Sequence, residues 1–308
     1  MSLDAAAAAG TEAGQPAAAP RPRPALSAWE RQSRRTTLSL LVLPVLAMPA
    51  MFVTPLVVLM WMSVDAGDGT VTLDGYRGLM APVYLRLLGF TLELSFWVTA
   101  ACAAPACPIA YMMANIPGRF AKWMAVSLFI SLRLSFLART FSWIVILQRN
   151  GVVNDILTGT GLISSPLRLV YNETGVYIGL IHILPPFMII TLVPGMKAID
   201  PAYARAALSL GASPFKAFRQ VYLPLSAPGL AAGAMLVFIL AFGFFITPAI
   251  LGGGRTPTIT LAIRDQIQEL GDLQLAAATA MALLVICLAI LPVFNRVAGV
   301  DRIYKGKS

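Results

Sequence analysis

The 308 residues are 58% hydrophobic and only 12% charged, with a mean hydropathy of +0.77; an ordinary soluble domain is about 25% charged, so a soluble enzyme is excluded in favour of a polytopic membrane protein. Cys102, Cys107 and Cys287 all sit in apolar runs, which excludes a disulfide framework, and one histidine, His182, excludes a His-rich metal or catalytic centre. The net charge of +9 reads as basic loops beside a membrane rather than as a nucleic-acid surface.

Residues 1–25 are rich in Ala, Pro and Gly, and 1–37 is expected to be a disordered basic tail. Ser33-Arg34-Arg35-Thr36-Thr37-Leu38 looks like a twin-arginine export signal. The apolar stretch after it is too long for a signal, however, and ends without a small-x-small cleavage site, so it reads as a first membrane helix with a basic flank. A helix needs about 20 apolar residues to cross the hydrocarbon core. Six stretches qualify, near 38–63, 87–114, 122–148, 174–195, 229–250 and 274–295. Pro44, Pro49, Pro55, Pro105 and Pro108 do not defeat them, because neighbouring helices re-satisfy backbone groups that proline frees. Residues 298–308 form a second tail, which leaves 38–297 as the membrane domain.

Charge sets the expected orientation. With the N-terminus inside, fifteen Lys and Arg lie in the cytoplasmic pieces, six lie outside, and Arg133 and Arg139 lie within the third span. That excess predicts both termini, and the 196–228 connection, on the cytoplasmic side. The outward loops 64–86, 149–173 and 251–273 are too short to form a solute-binding domain.

Within the connection, residues 200–229 break the apolar pattern. Asp200-Pro201 is a helix start, Ala202, Ala206 and Ala207 give a small-residue face, and Gly211-Ala212 is a turn. Ser213-Pro214 opens a second short helix in which Phe215 and Phe218 are expected to share a face. Leu223-Pro224 is expected to end it, and Pro228-Gly229 to precede the fifth span. The product is a rigid basic knob.

The ordered set Ala206-Ala207, Gly211-Ala212, Phe218, Leu223-Pro224 and Pro228-Gly229 resembles the "EAA" coupling loop of permease subunits of binding-protein-dependent ABC importers. Arg205 stands where that family has its glutamate. Three further runs are similar to the first permease component of spermidine/putrescine-type importers: Arg139 to Trp143 with Gln148-Arg149-Asn150-Gly151 and Asn154, Leu184 to Met188, and Phe238 to Gly253. The resemblance covers most of 38–297. It implies an all-α type I ABC importer permease fold with six transmembrane helices. It also implies an ABC ATPase dimer, a second permease, a periplasmic solute-binding protein and the lipid bilayer as partners. Coupling would fall to Ala206, Ala207, Gly211, Ala212, Phe215, Phe218, Leu223 and Pro224. The chain has no G-x-x-x-x-G-K-[ST] phosphate loop, so no cofactor of its own is expected, and ATP would be bound by the partner. A polyamine or related small amine or amino-acid-like solute is the implied substrate; a secondary carrier driven by an ion gradient is the alternative.

Ionisable groups within a membrane are candidate functional groups by default. Glu93, Arg139, Trp143, Phe242 and Phe245 are the residues expected along the translocation path. Arg139 and Trp143, four apart, suit a cation–π contact. Two readings of Arg139 stay open: a cavity-lining cation, or an internal ion pair with Glu93. Phe242 and Phe245 are read either as packing or as a gate, and Gly243 with Thr247-Pro248 as a kink in the fifth span.

Overall fold

In hydrocarbon every backbone amide and carbonyl has to be satisfied within the protein, and long apolar runs meet that demand as helices. The computed structural model describes the backbone of residues 28–67, 69–116 and 118–298, and the side chains of 44–67, 69–116 and 118–294. In chain order the helices are α1 (Ala28–Met62), α2 (Asp74–Leu79), α3 (Pro82–Asn115), α4 (Arg119–Arg133), α5 (Phe136–Leu147), α6 (Val152–Gly159) and α7 (Glu173–Ile183). They continue as α8 (Pro185–Lys197), α9 (Pro201–Ser209), α10 (Pro214–Ala217), a π-helical turn (Phe218–Tyr222), α11 (Leu223–Phe242), α12 (Ile246–Leu251), α13 (Ile259–Gln268) and α14 (Leu273–Ala298). The chain divides into a unit ending at Leu56 and a unit beginning at Val57. In the first, α1 presents exposed Val45, Leu46, Met51 and Phe52, the surface expected of a helix bathed in lipid.

Five stretches are long and apolar enough to cross a membrane: Pro44–Met62, Pro82–Asn115, Glu173–Lys197, Pro214–Phe242 and Leu273–Phe294. A sixth arises if Arg119–Arg133 and Phe136–Gly159, bent by 94°, count as one. The all-α fold read from the sequence is therefore found, with corrections to its details. Helix α1 is described from Ala28 onward, inside the stretch expected to be a tail, where Ala, Glu, Gln and Arg are good helix formers. Residues 1–27 and 299–308, the bulk of the two expected tails, lie outside the described residues.

The third span is not the straight helix expected over 122–148. It breaks at Leu134 and Ser135, both extended, with no proline or glycine to announce the break. Instead, the Arg139 guanidinium reaches back to the break: Nη2 donates to the Leu134 carbonyl at 3.2 Å, and Nη1 lies 3.5 Å from the Ser131 hydroxyl. Helix α4 also ends on Arg133, a charge that suits the negative end of the helix dipole.

The fifth span departs from expectation at both ends. Leu223-Pro224 does not stop regular structure. The preceding turn widens, with the Leu223 amide bonded five residues back to the Phe218 carbonyl, and Pro224, which has no N–H to give to the ladder, follows within the same continuous helix. Helix thus runs continuously from Pro214 to Phe242. It then stops at Gly243, and α12 follows after Phe245. The Phe244 carbonyl freed there accepts a hydrogen bond from the Thr260 hydroxyl at 3.2 Å.

Helices α3, α8 and α11 make the core. Leu94, Val98, Cys102 and Ala106 of α3, Met188 and Leu192 of α8, and Val237 of α11 are fully buried. Between lipid-embedded helices the hydrophobic drive is weak, and close approach through small residues replaces it. A Cβ on Gly233 would lie 3.1 Å from the Met188 side chain and 3.2 Å from its carbonyl oxygen, so α11 approaches α8 as glycine allows.

Candidate functional site

The knob between α8 and α11 is built by local chemistry. The Asp200 carboxylate accepts from the Ala202 amide at 2.8 Å and caps α9, with Pro201 in the first turn. At the other end of α9, the Gly211 amide donates to the Leu208 carbonyl at 2.9 Å and the Ala212 amide to the Ala207 carbonyl at 3.1 Å. That pair of bonds is a Schellman turn, and it requires the left-handed conformation that Gly211 adopts at φ +85°. The Ser213 hydroxyl then accepts from the Lys216 amide at 3.3 Å and caps α10. Helix α9 buries none of its residues. The knob instead displays Tyr203, Leu208, Leu210 and Phe215, the last two 88% and 70% exposed. Ala206 is exposed with them, whereas Ala207 and Ala212 are half-buried.

Phe215 and Phe218 do not share a face, contrary to expectation. Phe215 points outward. Phe218 turns inward, edge-on to Tyr111 of α3 at 5.1 Å and stacked on Tyr222 at 6.3 Å. Phe218 stands at the start of the turn that packs on α3, while Phe215, one residue into α10, stays on the exposed side of the knob. Sequence reasoning also missed the root of the knob. Tyr222 is 3% exposed; its hydroxyl donates to the Met196 carbonyl near the end of α8 at 2.9 Å and accepts from Asn115 Nδ2 at the end of α3 at 2.7 Å. The available signal was a polar Asn closing an apolar helix, with Tyr111 one turn before it.

Of the five residues expected along a path, Arg139, Trp143 and Phe242 engage other side chains of the protein, and Glu93 and Phe245 are exposed. Arg139 is 6% exposed and is taken up by the α4–α5 break; its guanidinium sits over the Phe136 ring at 5.3 Å, not over Trp143. Its Nε has no hydrogen-bond partner, and it makes no ion pair with Glu93: the two ion pairs among the described residues are Arg77–Asp74 and Arg264–Asp265. Trp143 instead packs edge-on against His182 at 5.3 Å. Phe242 is fully buried and stacked on Phe238 at 6.2 Å, a packing residue. Phe245 is exposed at the α11–α12 break. Glu93 is exposed on α3, on the same stripe as exposed Phe96 and Trp97, which form an edge-on pair at 5.5 Å. A carboxylate beside two aromatic rings on one helix face suits an amine or ammonium group. A groove of about 510 Å³ separates α4 from α3 and α8 and is lined mainly by Ile109, Phe120, Trp123, Met124 and Leu128, with His182 at its wall.

The 149–173 loop is held by one side chain. Asn154, 1% exposed, donates from Nδ2 to the Gln148 carbonyl at 3.1 Å and the Leu167 carbonyl at 3.0 Å, and its Oδ1 accepts from the Leu167 amide at 2.7 Å. No group of three or more His, Cys, Asp or Glu able to hold a metal occurs among the described residues.

Comparison with known proteins agrees with this architecture. Residues 106–297 match the family described as binding-protein-dependent transport system inner membrane component. The spermidine/putrescine transport system permease protein PotB of Escherichia coli strain K12 is 31% identical over 225 residues, covering 73% of this chain and 82% of that protein. The inner membrane ABC transporter permease protein YdcU of the same organism is 27% identical over 245 residues, 75% of this chain and 77% of that protein. Among solved structures, a bacterial ABC transporter involved in the import of the acidic polysaccharide alginate superposes with a TM-score of 0.69 at 16% identity, over 88% of this chain and 97% of that one. At that identity the likeness speaks for the fold alone.

Proposed function

We propose, on the premise that this chain belongs to the family of binding-protein-dependent transport system inner membrane components, that its 200–222 knob takes up the work of a separate ATPase and so drives solute across the bilayer. The chain is a permease subunit of an ABC importer, a transport protein of the bacterial inner membrane and not an enzyme. In our reading, two ATPase subunits, a second permease and a periplasmic binding protein complete the importer. Both termini and the knob face the cytoplasm, a placement supported by the positive charge of the connections on that side.

The observation that carries the proposal is the knob itself. It is closed by caps at both helices, fixed by Gly211, and tipped with Leu210 and Phe215, large apolar side chains left exposed among the described residues. Such a body is shaped to seat in a groove of a partner. Gly211→Val places a β-branched residue at positive φ and should distort the turn without touching a membrane span. Uptake should fall at least about tenfold while membrane insertion is unchanged, a loss of roughly 1.4 kcal/mol of coupling. Normal ATP-driven uptake by this variant would sink the coupling role, and uptake by the wild-type chain alone under an ion gradient would favour the carrier.

For the substrate we propose a polyamine or related small amine. Relatives named for spermidine and putrescine support it. So does the Glu93, Phe96 and Trp97 stripe, and so does the internal use of Arg139, which removes a cation from the candidate path. Titration of the importer's binding protein should show saturable binding of putrescine or spermidine; binding of anionic solutes alone would overturn this assignment.

A further inference from the structure

The knob is joined covalently to α8 on one side and to α11 on the other, but to α3 not at all. Its displacement can reach α3 only through non-covalent contacts: the packing of α8 and α11 on α3 within the core and, at the knob itself, the hydroxyl of Tyr222. The Met196 carbonyl accepts from the Ile199 amide at 3.3 Å, where the chain leaves α8, and from the Tyr222 hydroxyl at 2.9 Å, where it enters α11. Both limbs of the knob are thus tied to a single carbonyl. The same hydroxyl accepts from Asn115, whose Nδ2 also donates to the Tyr111 carbonyl at 3.0 Å within α3. Rings reinforce the junction: Tyr111 stands edge-on to Tyr222 at 4.8 Å and to Phe218 at 5.1 Å.

The joint beside this junction is of a special kind. A π-helical turn is uncommon, and two residues after it ends comes Pro224, which cannot donate to the ladder. A helix interrupted in this way has a natural place to bend. Left to itself, the turn would let the knob swing while α3 stayed still. The Tyr222 hydroxyl opposes that swing by pinning the turn to the ends of α3 and α8.

We infer that Tyr222, together with Asn115, is a positioning pair that makes α3 move with the knob, so that motion imposed on the knob reaches the three-helix core as a unit. The inference rests on the proposed coupling role of the knob. Its test uses the full importer in proteoliposomes, with the binding protein and the most tightly bound polyamine of the titration above. ATP hydrolysis and uptake are measured in the same vesicles. Tyr222→Phe keeps the rings and removes only the hydroxyl. Folding is protected in this variant, because Met196 keeps the Ile199 amide, and Asn115 is exposed and keeps the Tyr111 carbonyl. Asn115→Ala frees α3 by the other arm.

Each variant should assemble at wild-type levels and keep stimulated ATP hydrolysis within about twofold, while ATP consumed per solute transported rises about fivefold to tenfold, the scale of one or two buried hydrogen bonds. The double variant should be no worse than Tyr222→Phe alone, because both changes cut the same link. An unchanged ratio in both variants, or hydrolysis and uptake falling in parallel, would overturn the inference and leave the coupling role intact. Absence of ATP-driven uptake in the wild-type importer would remove the coupling role, and the inference with it.

Discussion

Asn154 shows how a single polar side chain fixes a loop at the membrane edge. Its amide saturates three backbone groups, at Gln148 and twice at Leu167, in a position that water does not reach. Asn154→Ala removes three part-buried hydrogen bonds, although the Gln148 carbonyl keeps the Gly151 amide, at a cost of about 1–3 kcal/mol. The midpoint of chemical unfolding in detergent should move accordingly; a loss below about 0.5 kcal/mol, typical of an unconstrained surface change, would contradict the role. The sequence singled out Asn154 by its motif but could not say what it does, because its partners are carbonyls and amides that every residue carries. Arg139 teaches the reverse. Its charge marked it as functional, yet the guanidinium is spent on the Leu134 carbonyl and the Phe136 ring, three to five residues away along its own chain. A charge inside the membrane needs a partner, and a helix break can supply one.

At the scale of elements, what depends on local chemistry was readable and what depends on neighbours was not. The caps at Asp200 and Ser213 and the turn at Gly211 follow from residue type at fixed offsets, and the structure has them where the sequence placed them. This is also why Gly211→Val is expected to act on the knob alone. The break at Leu134–Ser135 carries no proline or glycine, and only the folded position of Arg139 explains how it is tolerated. The π-helical turn hid for a related reason. Proline at 224 predicts interruption, and the chain instead widens one turn and continues as helix. Phe218 packs against Tyr111, and Phe215 is left exposed on the outside. The Tyr222 junction joins residues far apart in the chain, and no periodicity within one helix announces it.

For the whole molecule, the central claim is that a soluble-facing knob and a buried three-helix core act as one body, with energy supplied by another chain. The exposed apolar side chains of Leu210 and Phe215 are what this claim explains best. Phe215 therefore gives its most direct test. A photo-cross-linking side chain placed at Phe215 in the intact importer should join this chain to the ATPase subunit in good yield, with uptake retained before illumination. Cross-links to lipid or to the periplasmic binding protein in an importer that still transports, with none to the ATPase, would contradict the account.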